Sequence, residues 1–253
     1  MASKKLPTKL GKEPLIDAVF ELRFACSAPA SDILPGALFS PLSIDGQNIA
    51  VERLPLAQVP ESFRRSDPSL QFSPTLKIDW GDYSILIGDS SIAVSCKRPY
   101  RGWRSFRGAI TRIVEEVAKV GIVKSIERYS LKYVDLVPAQ NLQQQTDGLN
   151  WNVRVGTHQL KSEIATVRVE IPRGDFLHIV SVQTGAAIQL PNQPRIEGVV
   201  VDVDSICRSP ENDLTKFIAG LSAHLDLIHH ENKEVFFECL TQGTIDALEP
   251  SYD

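Results

Sequence analysis

Two stretches of helical periodicity, each preceded by short alternating segments, constrain the fold of this chain most. From Trp103 to Val120 the apolar residues recur every three or four positions, and the same spacing returns from about Asp213 to Leu240. Before each stretch, apolar and polar residues alternate, which is typical of half-buried β-strands. Strands followed by one long helix therefore occur twice. This order predicts an α+β fold of two similar halves, each an antiparallel curved sheet followed by one long helix.

The strand pattern is clearest in residues 14–25, where Phe20, Leu22 and Phe24 alternate with polar or smaller residues. A short helix is predicted near Asp32–Leu42, and Thr241 is predicted to cap a final helix. The remaining predicted strands are Leu76–Trp80, Tyr83–Gly88, Ser91–Lys97, Lys124–Val137, Thr166–Ile171, Leu177–Gln183 and Glu197–Ile206.

A polar stretch, Gln140–Gly148, follows Pro138 and is the best internal boundary in the sequence. We therefore expect an N-terminal α+β half at residues 1–139, a linker at 140–150 and a C-terminal α+β half at 151–253. The two halves are expected to pack closely.

Composition indicates a folded cytoplasmic protein. Of the 253 residues, 43% are hydrophobic and 23% are charged, which are ordinary values for a globular chain. No apolar run is long enough to span a bilayer, and no apolar stretch follows the basic start as in a signal peptide. The four cysteines form no CxxC pair, so free thiols are expected. The sequence leaves the oligomeric state open.

The net charge of −4 argues against a protein that coats nucleic acid non-specifically. Residues 1–150 carry 19 of the 27 Lys and Arg and 16 of the 31 Asp and Glu, a net of +3, which leaves a net of −7 for residues 151–253. This asymmetry would suit partners of different sign, although net charge also fluctuates between halves by chance.

The sharpest local feature is the segment Lys97–Arg107, which holds five basic and three aromatic residues. Positive charge at the start of a helix opposes the helix dipole, so a bound anion or an acidic partner would explain it. Interleaved aromatic residues also suit single-stranded nucleic acid. The alternative is a solvated helix start with Trp103 and Phe106 in the core. The candidate binding residues are Lys97, Arg98, Tyr100, Arg101, Arg104 and Arg107.

No catalytic or cofactor-binding motif is present, so the sequence favours a protein that is not an enzyme. It lacks a Gly-x-Ser-x-Gly elbow and the glycine-rich loops that hold phosphates. His230 and Glu234 share a helix face, but two ligands make a weak metal site. Asp202 and Asp204 lie on one face of a predicted strand and are expected to be solvated. We therefore expect no catalytic residue, no metal and no cofactor.

Residues 14–24 run Pro-Leu-Ile-Asp-Ala-Val-Phe-Glu-Leu-Arg-Phe, residues 99–103 run Pro-Tyr-Arg-Gly-Trp, and residues 128–133 run Arg-Tyr-Ser-Leu-Lys-Tyr. With these motifs, and the Leu-Thr end of the last long helix, the chain resembles a sporadically distributed bacterial family of uncharacterised proteins of similar length. Lys132 stands where that family usually has Arg. The motifs are structural, so the resemblance implies no particular site residue. Sporadic distribution implies an accessory role.

Three functions remain open. The first is a non-enzymatic protein that recognises a partner protein, such as an antitoxin, immunity or defence-associated accessory protein. The second is a small-molecule-binding protein, or an enzyme with an unrecognised site, that uses a cavity between sheet and helices. The third is a nucleic-acid contact through Lys97–Arg107, which the net charge makes the least favoured.

Overall fold

The computed structural model describes residues 5–43, 49–189, 195–208 and 210–252. They form six α-helices, a 3-10 turn at Pro55–Gln58 and thirteen strands. The helices are α1 (Ala30–Ser43), α2 (Glu61–Ser66), α3 (Trp103–Val120), α4 (Leu142–Asp147), α5 (Leu214–Cys239) and α6 (Gln242–Ala247). The strands are β1 (Lys9–Leu10), β2 (Leu15–Cys26), β3 (Ile49–Arg53), β4 (Leu76–Trp80), β5 (Tyr83–Ile87), β6 (Ser91–Cys96), β7 (Val123–Pro138), β8 (Arg154–Val155), β9 (His158–Gln159), β10 (Thr166–Arg173), β11 (Phe176–Ile188), β12 (Ile196–Cys207) and β13 (Pro250–Ser251).

The predicted α+β class is confirmed. Nine strands hydrogen-bond into one large sheet, and β1–β13 and β8–β9 form two small ribbons. Pairing is antiparallel between β10 and β11, between β2 and β6, and between successive strands from β3 to β6. The tight connections predicted between β4, β5 and β6 are therefore those of an antiparallel meander.

The chain divides into two compact units that are discontinuous in sequence. The terminal unit comprises the described parts of Met1–Ile16, Lys132–Ser205 and His229–Asp253, and the inner unit comprises Asp17–Leu131 with Ile206–Ile228. These boundaries differ from the predicted ones at 1–139 and 151–253, because segments distant in sequence pack together. The predicted linker at 140–150 lies inside the terminal unit. It contains α4, whose Asn141 cap accepts a hydrogen bond from the Gln144 amide at 2.9 Å.

In the inner unit, the strands follow the order β2, β6, β5, β4, β3. The alternation predicted for β2 is confirmed, because Phe20, Leu22 and Phe24 are at most 1% exposed. The apolar stripe of α3 is buried as well, from Phe106 to Val117. This helix ends at Gly121, whose φ of 74° is the left-handed conformation that glycine adopts most easily. The core of the unit is thus the one that periodicity predicts.

A buried ion pair links three segments of the inner unit. Asp89, in the turn between β5 and β6, accepts hydrogen bonds from Arg64 Nε and Nη2, both at 2.9 Å, and from Ser31 Oγ at 2.6 Å. Asp89 is 4% and Arg64 is 8% exposed. Arg64 Nη1 also donates to the carbonyl oxygen of Val59. These bonds therefore join α2 to Val59 and to the turn between β5 and β6, and join that turn to α1.

In the terminal unit, the strands follow the order β10, β11, β12, β7. Their apolar side chains pack with the second half of α5, notably Val235 and Phe236, in one core cluster. Gly198 of β12 lies so close to β7 that a Cβ atom there would come within 2.9 Å of the Val137 carbonyl carbon. Only glycine permits this approach without a backbone shift.

None of the helices in the described parts of the chain is both long enough and apolar enough to cross a membrane.

Candidate functional site

The segment Lys97–Arg107, which we call the 97–107 surface, connects β6 to α3 in the inner unit. The Lys97 amide donates to the Asp82 carbonyl oxygen at 2.7 Å, which fixes the start of the segment. Gly102, with a φ of 88°, precedes the first residue of α3. The first turn of α3 contains no acidic residue. The structure therefore presents the basic residues at a helix N-terminus, as predicted.

Carboxylates pair with Lys97, Arg101 and Arg107 of the five predicted cations, and Arg98 also has a contact within the structure. Lys97 Nζ lies 2.9 Å from Asp79 Oδ1, and Arg101 Nε lies 3.0 Å from Asp82 Oδ2. Arg107 pairs with Asp226 of α5. The bond from Lys97 is the main reason that the pKa of Asp79 is lowered. These carboxylates neutralise part of the positive charge of the 97–107 surface, and the three paired side chains are not open to an anion unless their pairs break.

The aromatic residues of the surface are arranged around Phe106. Phe106 is fully buried, as predicted, and the rings of Tyr100 and Trp103 meet it edge-on with centroids 6.3 and 6.2 Å away. Trp103 is only half-buried, which corrects its expected place in the core. Its indole Nε1 donates to Asp226 Oδ1 at 2.9 Å. Tyr100 and Trp103 are thus held in place while part of each ring faces solvent.

Arg98, Arg101 and Arg104 are the exposed cations of the surface, and of these Arg101 pairs with Asp82. Within residues 5–43, 49–189, 195–208 and 210–252, no carboxylate lies within ion-pair distance of Arg104. The 97–107 surface therefore presents a guanidinium group beside two partly exposed aromatic rings. Its border consists of the ion pairs to Asp82 and Asp226.

The three acidic residues that pair with the cations of this surface were not predicted from the sequence. They are Asp79, Asp82 and Asp226. Asp82 belongs to the tight turn between β4 and β5, and the antiparallel register that pairs Tyr83 with Cys96 brings it beside the segment. The predicted meander implies this register, so Asp82 could have been identified from the sequence as a neighbour of Lys97. Asp226 is 119 residues from Arg107 in sequence and lies off the apolar stripe of its helix, so no local pattern identifies it.

A buried polar cluster in the terminal unit was also not predicted. His178 Nδ1 lies 2.8 Å from Ser205 Oγ, which accepts a hydrogen bond from Asn232 Nδ2 at 2.9 Å. His178 Nε2 lies 3.7 Å from Glu231 Oε2, and neither atom has a hydrogen-bond partner among the described residues. The His178 and Ser205 side chains are fully buried. Because no substrate can reach this hydroxyl, the cluster is a structural network and not a nucleophile with its base.

This cluster predicts an acid-sensitive stability. Burial, with a contribution from Arg173, lowers the pKa of His178 from its ordinary value of 6.5. The unfolded chain takes up this proton below pH 6.5, whereas the folded chain does so only at a lower pH. We expect the free energy of unfolding to fall as the pH decreases below 6.5 and down through the pKa of the folded state. Urea unfolding of the wild type and of His178→Gln across about pH 5 to 8 measures it.

The control for this prediction is His230→Gln, because the His230 side chain is 56% exposed. His178→Gln should flatten the slope of stability against pH, and by more than His230→Gln does. Equal slopes in all three proteins would contradict the assignment to His178.

The terminal unit also contains a cavity of about 550 Å³ beside the segment that precedes β2. It is lined by residues of that segment, the end of β7, α4 and α6, including Glu13, Gln144 and Asp147. Burial raises the pKa of Glu13, although a backbone hydrogen bond from Leu15 and the charge of Lys233 oppose this shift. A carboxyl group with a raised pKa in a concave site is a candidate for ligand contact.

Metal binding finds no support in the described parts of the chain, where no group of three or more His, Cys, Asp or Glu side chains is arranged to hold an ion. His230 and Glu234 lie 3.4 Å apart, as their i and i+4 spacing predicts.

A scan against protein-family models gives no match for this chain, and a search of curated proteins finds none that is significantly similar. The interpretation of the site therefore depends on its own geometry.

Proposed function

We propose that this chain is a non-enzymatic binding protein that recognises a partner protein through the 97–107 surface. The observation that carries the proposal is the exposed Arg98 and Arg104 beside the partly exposed rings of Tyr100 and Trp103. Arg, Tyr and Trp are the residues most enriched among those that dominate binding energy at protein interfaces. The contacts of both rings with Phe106, and the bond from Trp103 to Asp226, hold the two rings in position, which reduces the entropy lost on binding.

The pairing of three of its cations with carboxylates favours a protein partner over nucleic acid for the 97–107 surface. Tight binding of a phosphate backbone requires several cations that are free to displace counterions. Here Lys97, Arg101 and Arg107 already pair with carboxylates. A partner with one or two carboxylates opposite Arg98 and Arg104, and apolar groups over the rings, fits this arrangement better than a polyanion does. The accessory role, such as an antitoxin, immunity or defence function, comes from the family resemblance and is part of the proposal.

The experiment is native mass spectrometry of the tagged protein isolated gently from its own host. We expect one stoichiometric protein partner on the wild type. The double change Arg98→Glu with Arg104→Glu should weaken its affinity by about 10-fold to 100-fold, because both charges reverse at the interface. Thermal unfolding should show that the variant is folded, since both residues are exposed.

The matched control is Lys119→Glu, at the other end of α3, where the Lys119 side chain is 67% exposed. It should retain the partner. Binding that is equally strong in the double variant would contradict the proposed surface. Co-purified nucleic acid, with an affinity that falls steeply as the salt concentration rises, would instead support the nucleic-acid hypothesis.

The cavity beside Glu13 supports small-molecule binding as a second candidate function. Its volume of about 550 Å³ is in the range of ordinary ligand sites. In the same mass spectra, this function predicts an added small mass on the wild type that Glu13→Gln reduces, while the double arginine variant keeps it. An unmodified chain mass in every sample would count against it.

We also infer that the two parts of the fold arose by internal duplication. In chain order, β2, β4, β5, β6 and α3 correspond to β7, β10, β11, β12 and α5. In the sheet, the neighbours β2, β6, β5, β4 correspond to β7, β12, β11, β10. This equivalence of chain order and strand order supports the duplication predicted from the sequence.

A further inference from the structure

Strand β10 is an edge strand with an unusual degree of exposure. It pairs with β11 along one side and is the last strand of the sheet in that direction. Six of its eight residues are exposed. Proteins usually protect the edges of their sheets with charges, bulges or short strands, because an open edge can pair with another strand. The length and regularity of β10 therefore require an explanation.

The backbone of β10 has free hydrogen-bonding groups at alternate residues. The Thr184 amide donates to the Ala165 carbonyl oxygen at 3.0 Å, so the residue that precedes β10 bonds to β11. Because this direction alternates along an antiparallel pair, odd-numbered residues of β10 face β11. The amide and carbonyl groups of Thr166, Arg168 and Glu170 therefore point outward. Pro172 also falls in the outward set, where its missing N–H costs no bond to β11.

The side chains of β10 form a pattern that is symmetric about Val169. On one face, Val169 and Ile171 lie opposite the buried Val180 and His178 of β11, yet they are 44% and 37% exposed. On the other face, Arg168 and Glu170 lie on either side of the central position and form an ion pair at 2.9 Å. Such a strand is complementary in charge and shape to an antiparallel copy of itself.

We propose that β10 pairs with β10 of a second copy of this chain, antiparallel and about a two-fold axis at Val169. In this register Arg168 faces Glu170 of the partner subunit, and the two exchange both backbone hydrogen bonds. Val169 faces Val169 of the partner subunit across the axis, and Val167 faces Ile171 of the partner subunit. Two-fold pairing repeats each contact and extends the apolar face of the sheet across the interface. The proposal is independent of the 97–107 surface.

The test is the mass of the protein in solution, by sedimentation or light scattering over a range of concentrations. The wild type should reach twice the chain mass of 28.0 kDa. Arg168→Glu alone should place like charges opposite each other at two sites and weaken the dimer by about ten-fold. Glu170→Arg alone should do the same. The double change Arg168→Glu with Glu170→Arg restores opposite charges in this register, so it should recover the dimer.

Amide hydrogen exchange gives a second measurement. In the dimer the outward amides of Arg168 and Glu170 should become protected as the concentration rises. The amide of Val169, which faces β11, should be protected at all concentrations. Glu170→Pro removes an outward donor without removing a bond to β11, so it should give a folded monomer.

Three results would overturn the proposal. They are a wild type that stays monomeric at its highest soluble concentration, a dimer that neither single charge reversal weakens, and a double variant that fails to recover. Because these variants leave Arg98 and Arg104 unchanged, loss of the dimer and loss of a protein partner can be measured separately.

Discussion

Replacement of Asp89 by alanine is expected to destabilise the protein by about 3–5 kcal/mol. The change leaves the Arg64 guanidinium, which is 8% exposed, without its counter-charge. It also removes the acceptor of the Ser31 hydroxyl. Chemical unfolding near neutral pH measures the loss.

The control separates this buried pair from an exposed one. Asp82→Ala breaks the ion pair with Arg101, in which the Asp82 side chain is 48% and the Arg101 side chain 54% exposed. This change should lower the free energy of unfolding by at most about 1 kcal/mol. The double variant Arg64→Met with Asp89→Leu removes both buried charges and should recover much of the stability that Asp89→Ala loses. If Asp89→Ala does not fold, Asp89→Asn should show an intermediate loss, because its one acceptor oxygen can replace Oδ1 for Ser31 and Arg64 Nη2, whereas its NH2 group offers no acceptor to Arg64 Nε. Equal effects of the buried and exposed pairs would contradict the prediction.

The pH dependence provides a further check on Asp89. Burial alone would raise the pKa of this carboxyl, but the hydrogen bonds from Arg64 and Ser31 hold it below the ordinary value of 3.8. A lowered pKa stabilises the folded state at every pH above 3.8, and this contribution is lost as the pH falls through the pKa of the folded state. Asp89→Asn should lack that part of the acid dependence.

The parts of the fold that the sequence predicts are those in which burial repeats at a fixed interval. Strand β2, the meander from β4 to β6, α3 and α5 all lie within a few residues of their predicted bounds, because one face of each is apolar along its whole length. The missed elements are short, with two to six residues each. Strand β3 is almost entirely exposed, and α2 is held by Arg64, whose partner Asp89 is 25 residues away.

The candidate site illustrates the same limit. Sequence analysis identifies the basic segment Lys97–Arg107, since its residues are adjacent in the chain. It does not show that three of the cations are paired, because Asp79 and Asp82 reach the segment through strand pairing and Asp226 through helix packing. The net charge of a surface is a property of the folded chain. Local counting therefore overstates how strongly such a segment attracts an anion.

Replacement of Asp135 by asparagine is expected to stabilise the protein at neutral pH by about 1–2 kcal/mol, although most core substitutions destabilise. Asp135 lies on β7 and is 6% exposed. Burial raises the pKa of its carboxyl well above 3.8, and the negative charges of Glu13 and Asp202 raise it further. Asp202 itself pairs with Lys132, at 2.8 Å. Asparagine keeps the shape of the side chain and removes the charge.

The sign of the pH dependence identifies the cause. Because the pKa of Asp135 is raised in the folded state, ionisation of this carboxyl does not destabilise the folded wild type below pH 3.8. The wild type loses stability as the pH rises above 3.8 and through the pKa of the folded state. The gain from Asp135→Asn should therefore be present at neutral pH and vanish below 3.8. Unfolding at several pH values measures this difference. Asp202→Asn removes its repulsion of the Asp135 carboxylate but also breaks the partly exposed ion pair with Lys132, so its gain should be smaller than that of Asp135→Asn.

A stabilising Asp135→Asn would also bear on function. One substitution, from aspartate to asparagine, would neutralise the charge. A buried carboxyl that lowers stability is therefore retained when its charge serves another purpose. Asp135 interacts with Glu13, and Glu13 lines the 550 Å³ cavity. If the variant is more stable but no longer carries the small mass found on the wild type, the acidic pair is retained for that ligand. If the variant is more stable and keeps every bound component, Asp135 has no part in binding. The main polar evidence for a ligand site in the cavity is then lost.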